Sequence, residues 1–449
     1  MVSLRHVLGA AAIAGAAISG LPQGGPAPLR AATEPLYAWV QMVPPGVGQA
    51  RALVPAGTAC PDLVADGRTV PMRVRAPADR ANGFAVTSCQ ADLPAGASAL
   101  RVGSLDLPAP KAAPQRIAVI GDTGCRIKGD RAQACDDPAA WPFPAMAAAV
   151  AAARPDLIVH VGDYLYRESP CPEGDRGCAG SEWGYNWGTW QADFFAPAGP
   201  MLATAPLLLL RGNHETCGRA WRGWYRFLAE RDWTPECHDY EAPYAIDIGA
   251  RRLVVLDSTH ADDREAKPHQ VMHYQALLHA VNGLAAAGGR ESWLVSHKPF
   301  WSIGRIKGAK GPHPHADGYN AVLQAAEAAV PLAPEVTGIL SGHFHLFQAL
   351  SFEGGNPDAA GGAAVARRPN QLILGNGGTM LARGAAGSLP AGFDAWGLAA
   401  RNFVTMDRFG FGLLEPSGTD WQLTLSGSDG TAFARCTVVP FDARCAPLQ

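Results

Sequence analysis

The chain is short of surplus charge of either sign. Its 449 residues carry 37 Lys and Arg against 40 Asp and Glu, a net charge of −3, so there is no general field to draw in nucleic acid or an anionic membrane surface. Partners must be argued from a site. Long apolar runs are also missing: the stretch from Val7 to Leu21 falls short of the roughly 20 residues a span needs, and no later one is long enough. The short Cys-x-x-Cys spacing of zinc ribbons is absent. No internal repeat of fixed period is found.

At the N-terminus Arg5 and His6 precede the weakly apolar, Ala- and Gly-rich run, and a Pro/Gly-rich stretch follows. This reads as a secretory signal, with residues 1–33 as signal peptide and flexible leader. There is no twin arginine and no lipobox cysteine, so a soluble secreted or periplasmic product is expected, with no membrane span after signal removal. The even set of ten cysteines fits export. Taken in order they form five local pairs: Cys60 with Cys89, Cys125 with Cys135, Cys171 with Cys178, Cys217 with Cys237, and Cys436 with Cys445. Sequential pairing is the simplest of many connectivities, and disulfides that staple loops are expected.

Residues 34–110 alternate short β-like runs with Pro, Gly and Asp breaks and show no helical period. They predict a small antiparallel β-sandwich domain of fibronectin or immunoglobulin kind, stapled by Cys60 and Cys89. Closely spaced prolines from Leu107 to Pro114 mark a linker. From 111 to 449 apolar strands alternate with Ala-rich helical stretches, the pattern of an α/β domain ending in a β extension. Strands are predicted over 116–121, 156–162, 206–212, 252–258, 291–297, 336–342 and 371–375. Helices are predicted over 144–153, 219–230, 269–287 and 318–329. Gly/Ala-rich stretches from Gly354 to Ala366 and from Ala382 to Gly392 read as surface loops.

Polar residues follow the strands directly, where ligand sites of α/β sheets lie. The strand ends deliver Gly121-Asp122-Thr123-Gly124, then Gly162-Asp163-Tyr164-Leu165-Tyr166, then Gly212-Asn213-His214-Glu215, then Ser296-His297, then Gly342-His343-Phe344-His345. Singly, each has a bland reading as a cap, a turn residue or a satisfied core group. Together, two Asp, one Tyr, one Asn and three His at successive strand ends predict a metal centre. Carboxylate, phenolate and imidazole without thiolate suit iron, manganese or zinc, and phenolate favours Fe(III). His160 reads as a core histidine, and Asp257 as a turn cap rather than an eighth ligand.

These motifs resemble those of the calcineurin-like metallophosphoesterases, specifically the purple acid phosphatase branch. The wider superfamily usually begins with Asp-x-His and has Asp where this chain has Tyr166; here Gly124 replaces that His. The resemblance covers about residues 115–380, and the N-terminal β domain is similar in kind to that of the larger plant-type members. It implies a four-layer α/β/β/α sandwich. It further implies that Asp122, Tyr166 and His345 hold Fe(III), that Asn213, His297 and His343 hold Fe(II), Zn(II) or Mn(II), and that Asp163 bridges the two.

The activity implied is hydrolysis of phosphate monoesters by metal-bound hydroxide, with His214 as general acid on a small phosphorylated substrate. Glu215 would orient His214 or its loop, or be a structural carboxylate. Two loops are candidates for substrate contact. Arg167 to Trp190 carries Trp183, Tyr185, Trp187 and Trp190, which would grip a leaving group or pack the loop. Phe300 to Tyr319 carries Arg305, Lys307, Lys310, His313 and His315, which would bind a second phosphate or remain solvated. Two rivals are a phosphodiesterase or nucleotidase on the same centre and a secreted protein that only captures phosphate. The intact His214 argues against the second.

Overall fold

The strand Ile117–Ile120 is apolar at every position because both of its faces are covered. In a computed structural model of the chain, Ile117 and Val119 point into a core between two sheets, while Ala118 and Ile120 point outward beneath helices. Leu157–His160 and Leu207–Leu209 lie parallel to it and alternate in the same way, Val159 and Leu208 facing inward and Ile158 and Leu207 outward. The structure describes residues 33–305, 314–315, 320–353, 368–382, 394–395 and 398–448, without the side chains of 304–305, 314–315, 394–395 and 398–399. The expected signal segment and most of the two Gly/Ala-rich stretches lie outside these residues.

An eleven-stranded sheet grows outward from this parallel trio. On one side are Phe411–Ser417, Asp420–Ser426, Ala432–Val439 and Asp442–Pro447, all antiparallel. On the other, Tyr37–Val43 joins Leu207–Leu209 in parallel through Gln41 and Leu207, followed by Val47–Pro55, Val86–Asp92 and Arg73–Ala76. A second sheet of eight strands is centred on Arg251–Leu256, Glu291–Ser296, Val336–Ser341 and Asn370–Leu374, which run parallel. The helices Pro268–Ala286 and Ala321–Ala329 cover its outer face through Leu278, Val281 and Leu323. Phe143–Ala152 and the short helices from Trp187 to Leu202 cover the outer face of the first sheet. The layers therefore run helix, sheet, sheet, helix, as the four-layer α/β/β/α expectation has it, with an all-β region at the N-terminus.

That N-terminal region contributes four strands to the large sheet, so the sheet runs unbroken across the expected junction at 110 and 111. Its other strands, Asp62–Ala65, Arg68–Pro71, Leu100–Val102 and Leu105–Leu107, form a four-stranded sheet over a core of its own around Val40, Ala52, Leu63 and Val102. Two buried arginines then fasten the region to the loop that follows the third strand end. Arg51 donates to the carbonyls of Phe227 and Ala229, both at 2.9 Å, and Arg75 donates to those of Tyr225 (3.0 Å), Ala229 (2.9 Å) and Arg231 (2.7 Å). These carbonyls would otherwise be the orphaned acceptors of a helix end.

The same clamp explains a departure from expectation. The helix predicted over 219–230 is broken into Trp221–Gly223 and a wide turn, Trp224–Leu228, and it stops at Ala229, where the two guanidinium groups converge. Strands not predicted from the sequence include Tyr244–Ile248, Phe347–Phe352 and Leu398–Met406. All ten cysteines are joined in chain order, as Cys60–Cys89, Cys125–Cys135, Cys171–Cys178, Cys217–Cys237 and Cys436–Cys445. Among the described residues no helix is long and apolar enough to cross a membrane.

Candidate metal centre

Three of the strand ends turn in a conformation that L-residues rarely adopt. Asp122, Asp163 and His343 have φ of 55°, 59° and 72°, at a cost of roughly 1 kcal/mol each. The turn aims each side chain across the gap between strand ends instead of along its own sheet face. Gly162, with φ 99°, makes the turn before Asp163, and a Cβ there would lie 2.6 Å from His297 Nδ1. Backbone geometry and close approach both require glycine at that position.

The side chains meet in two groups. In the first, the Tyr166 hydroxyl lies 2.9 Å from Asp122 Oδ1, 2.7 Å from Asp163 Oδ2 and 2.9 Å from His345 Nε2. In the second, Asn213 Oδ1 lies 3.0 Å from His297 Nε2 and 2.7 Å from His343 Nδ1. Asp163 stands between them, its Oδ2 also 3.3 Å from His297 Nε2. The structure thus brings all seven expected ligands together.

The outer nitrogen of each imidazole is already engaged. His297 Nδ1 donates to the Val161 carbonyl (2.8 Å), His345 Nδ1 to the Met380 carbonyl (2.9 Å), and His343 Nε2 to Asp263 Oδ2 (3.1 Å). With those protons directed outward, each ring presents a lone pair to the centre.

This donor set fits metal ions. One hydroxyl proton faces three electron-pair donors around Tyr166, and such a crowd is stable only with positive charge among it. In the protein alone burial, and then the carboxylates of Asp122 and Asp163, hold the Tyr166 phenol well above its ordinary range. Burial also pushes Asp163 upward, but the imidazoles of His297 and His214 outweigh it and hold the carboxyl well below the usual range. For His297 burial opposes protonation, and the Asp163 carboxylate overrides it, raising the ring to about 9. An anionic carboxylate without a cation thus draws protons onto its neighbours, and a metal would take their place.

His214 is buried against this cluster, its ring centroid 3.7 Å from that of Tyr166. Its backbone N–H donates to Asp163 Oδ1 (2.8 Å), and Nδ1 lies 3.0 Å from the Leu165 carbonyl and 2.8 Å from Glu168 Oε1. Nε2 is the nitrogen turned toward Asp163, 3.9 Å from its Oδ2. Burial pushes the ring down to about 4, against the opposing pull of Asp163 and Glu168.

Glu215 makes no hydrogen bond to the His214 ring. It is buried, and accepts from the amides of Tyr164 (2.9 Å), Leu165 (3.3 Å) and Gly212 (3.1 Å), so it ties two ligand loops together. Asp257 accepts from the Thr259 amide (3.0 Å) and pairs with Arg211, the bonds of a turn cap. His160 sits 3.0 Å from Thr123 Oγ1 and stacks on Tyr164 in the core.

Four residues not singled out from the sequence support the centre. Glu168 and Arg219 pair with each other and flank His214, Arg219 Nη2 being 2.9 Å from its Nδ1. Asp263, held by Asn320 (2.8 Å) and Lys298 (3.3 Å), fixes His343. Asp193 is buried and joins the first two ligand loops, accepting from the amides of Cys125 and Tyr166. No spacing rule marks these positions: Glu168 and Arg219 lie two and four residues past the ends of the second and third motifs, and Asp193 and Asp263 lie in stretches without one.

Of the loop residues expected to touch substrate, Trp190 is fully buried, and Trp187 packs on Tyr37, Phe195 and Phe227. Those two pack the loop, while Tyr185 is half-buried and Trp183 is 51% exposed. Backbone strands Gly304–Arg305 and Pro314–His315 pair, but the side chains of Arg305 and His315, and all of Lys307, Lys310 and His313, lie outside the described residues.

Known proteins agree with the geometry at the level of family and fold. No curated protein matches the chain significantly. Among solved structures, a purple acid phosphatase from yellow lupin (Lupinus luteus) seeds is 15% identical with a TM-score of 0.55, the match covering 92% of this chain and 74% of that one. A structure of PhoD is 13% identical with a TM-score of 0.58, covering 93% of this chain and 92% of that one. At such identities the likeness is one of fold. The family model described as calcineurin-like phosphoesterase matches residues 115–347, more than half of the chain and all seven expected ligands. The chain belongs to the calcineurin-like phosphoesterase family, phosphoesterases that bind two metal ions and act on phosphorylated substrates.

Proposed function

We propose that the protein is an exported phosphohydrolase that cleaves phosphate monoesters at a dinuclear centre. Asp122, Tyr166 and His345 hold Fe(III), Asn213, His297 and His343 hold Fe(II), Zn(II) or Mn(II), and Asp163 is shared between the two. The observation that carries this reading is the Tyr166 hydroxyl within 2.9 Å of Asp122, Asp163 and His345. A phenol buried among anions gains most from a small, highly charged ion, which favours Fe(III) over a divalent metal at that position. Five disulfides support a secreted or periplasmic location, since such bonds persist in oxidising compartments.

When bound, the two metals polarise a phosphoryl group and lower the pKa of water. The chain's own residues do the rest. The carbonyl of Leu165 holds Nδ1 of His214, while Nε2 faces Asp163 and has Arg219 Nη2 2.9 Å away, so Nε2 is the atom that passes a proton to the leaving oxygen. Glu168 steadies the charge which that ring carries when protonated, and the amide bond from His214 to Asp163 keeps ring and bridging carboxylate in fixed relation. Because His214 is buried against the Tyr166 ring, its approach is confined to one side of the centre.

A visible absorption spectrum with metal analysis on the same sample tests the metals. A purple band with two metals per chain, lost in Tyr166→Phe, is expected; colour that survives this substitution sinks the tyrosine–iron assignment. Colourless protein with two zinc or manganese ions would keep the hydrolase and discard Fe(III). A panel of monoesters and diesters tests the substrate, and faster turnover of diesters would replace that part of the proposal. His214→Ala should lower turnover by about 10²- to 10⁴-fold with both metals retained.

A further inference from the structure

A cleft of about 280 Å³ opens between the N-terminal β region and the loop that follows His214, whereas two other clefts hold about 20 Å³ each. It is lined by Pro77, Asp79, Trp221, Arg222, Arg226 and Trp233, none of them a candidate ligand or a neighbour of one in the metal centre. Trp221 and Trp233 are half-buried, their inner parts packed on the main core. Their remaining surface faces the cleft.

The polar groups divide into those already consumed and one that is not. Arg226 donates to the Pro77 carbonyl (2.5 Å) and to Asp79 Oδ2 (2.9 Å), and lies over the rings of Phe84 and Trp233 at 5.0 and 5.2 Å. Asp79 also accepts from the side chain of Asn82 at 2.8 Å and from its amide at 3.3 Å. Both charges are therefore neutralised within the wall. Arg222 is exposed, lies 4.5 Å over the Trp221 ring, and has no carboxylate partner among the described residues.

The cleft is also held in shape. Arg75 and Arg51 grip the carbonyls between Tyr225 and Arg231, and the Cys217–Cys237 bond closes the loop that carries both indoles. A site fixed in advance spends little binding energy on ordering. Two aromatic surfaces with a single unneutralised guanidinium are complementary to a flat ring that carries negative charge.

We propose that this cleft is a binding site for a planar aromatic ring bearing an anionic group, the ring set against Trp221 and Trp233 and the anion on Arg222. The site is separate from the metal centre and does not rest on the reaction proposed for it. Calorimetric titration of the metal-loaded protein with 2-naphthoate, in saturating inorganic phosphate to occupy the metal centre, is the direct test. Wild type should bind 2-naphthoate about tenfold more tightly than cyclohexanecarboxylate, which has charge but no flat ring. Arg222→Gln, at an exposed position, should weaken 2-naphthoate about tenfold while leaving 2-naphthol unchanged, and Trp233→Leu should weaken both. AMP in place of 2-naphthoate tells whether a nucleotide or an aryl acid is the better source of ring and charge, and binding by either that depends on Arg222 upholds the site. Loss of all binding in saturating phosphate would mean that the ring sits at the metal centre and would overturn the proposal. So would undiminished binding by folded Arg222→Gln, as judged by an unchanged melting temperature.

Discussion

Asp193 has no part in ligating metal, yet its replacement should be among the most costly single changes in the chain. Its Oδ1 accepts from the Cys125 amide (3.0 Å) and Arg167 Nε (2.7 Å), and its Oδ2 from the amides of Tyr166 (2.7 Å) and Arg167 (3.1 Å). Asp193→Asn keeps the volume but leaves two of these four donors facing an NH₂ group. Each buried donor deprived of its acceptor costs about 1–3 kcal/mol, and a buried ion pair broken on one side costs about 3–5 kcal/mol. The two penalties overlap at Arg167, whose side chain is 7% exposed and has the Trp141 ring 5.0 Å away as its remaining cover. A net loss of about 4 kcal/mol is expected, against a total stability of about 5–15 kcal/mol for a typical domain. Urea unfolding of the metal-loaded protein measures it, as a lower midpoint at unchanged slope. Because Asp193 ties the loop of Asp122 to the loop of Tyr166, the variant should also lose metal during gel filtration sooner than wild type. A stability loss below about 1 kcal/mol, with metal content unchanged, would refute the account of Asp193 as the tie between those loops.

Two further outcomes are expected. Gly124→Ala would place a Cβ 2.7 Å from the Tyr164 carbonyl, 2.9 Å from Asp193 Oδ2 and 3.0 Å from Tyr166 Cδ2, so overpacking should cost about 1–3 kcal/mol and reduce metal occupancy, both measurable on one purified sample. Asp262, hydrogen-bonded to Lys267 and to the amides of Arg264 and Glu265, is held down to about 2, below its unfolded range near 3.9. Its contribution is therefore present above pH 4 and is lost as pH falls through about 2, so Asp262→Asn should cost roughly 1 kcal/mol at pH 7, after allowance for solvent screening, and only a small fraction of that at pH 2.

Much of the centre was legible because its ligands obey a rule of position. A strand apolar on both faces ends where the first polar residue leaves the sheet, so Asp122, Asp163, Asn213, His297 and His343 could be found as the residues just past such runs. The supporting residues obey no such rule. Asp193 follows an aromatic stretch that reads as a loop, and its partners Cys125 and Arg167 lie 68 and 26 residues away. Asp263 reaches His343 across 80 residues. Contacts of that separation are set by how sheets and helices pack, and a local pattern carries no trace of them. The broken helix at Trp221–Leu228 was hidden for the same reason: its residues have helical spacing, and Arg51 and Arg75, some 150 to 180 residues earlier, claim its carbonyls.

The pairing of Gly124 with Tyr166 shows how one local difference constrains another. In the wider superfamily a histidine stands at the first position and an aspartate at the second. Here the Tyr166 ring lies where a side chain on residue 124 would begin, 3.0 Å from that missing Cβ, and the same Cβ would press on Asp193. The Tyr164 carbonyl at 2.7 Å and Asp193 Oδ2 at 2.9 Å exclude a side chain at 124 more firmly still, and with it one imidazole ligand. The phenol oxygen ends 2.9 Å from His345 Nε2 and 2.7 Å from Asp163 Oδ2, so it can replace the lost donor at the same group of ligands. Restoring histidine at 124 would thus add a ring with no space to occupy, and a smaller residue at 166 alone would leave the contacts with the Tyr164 carbonyl and Asp193 in place.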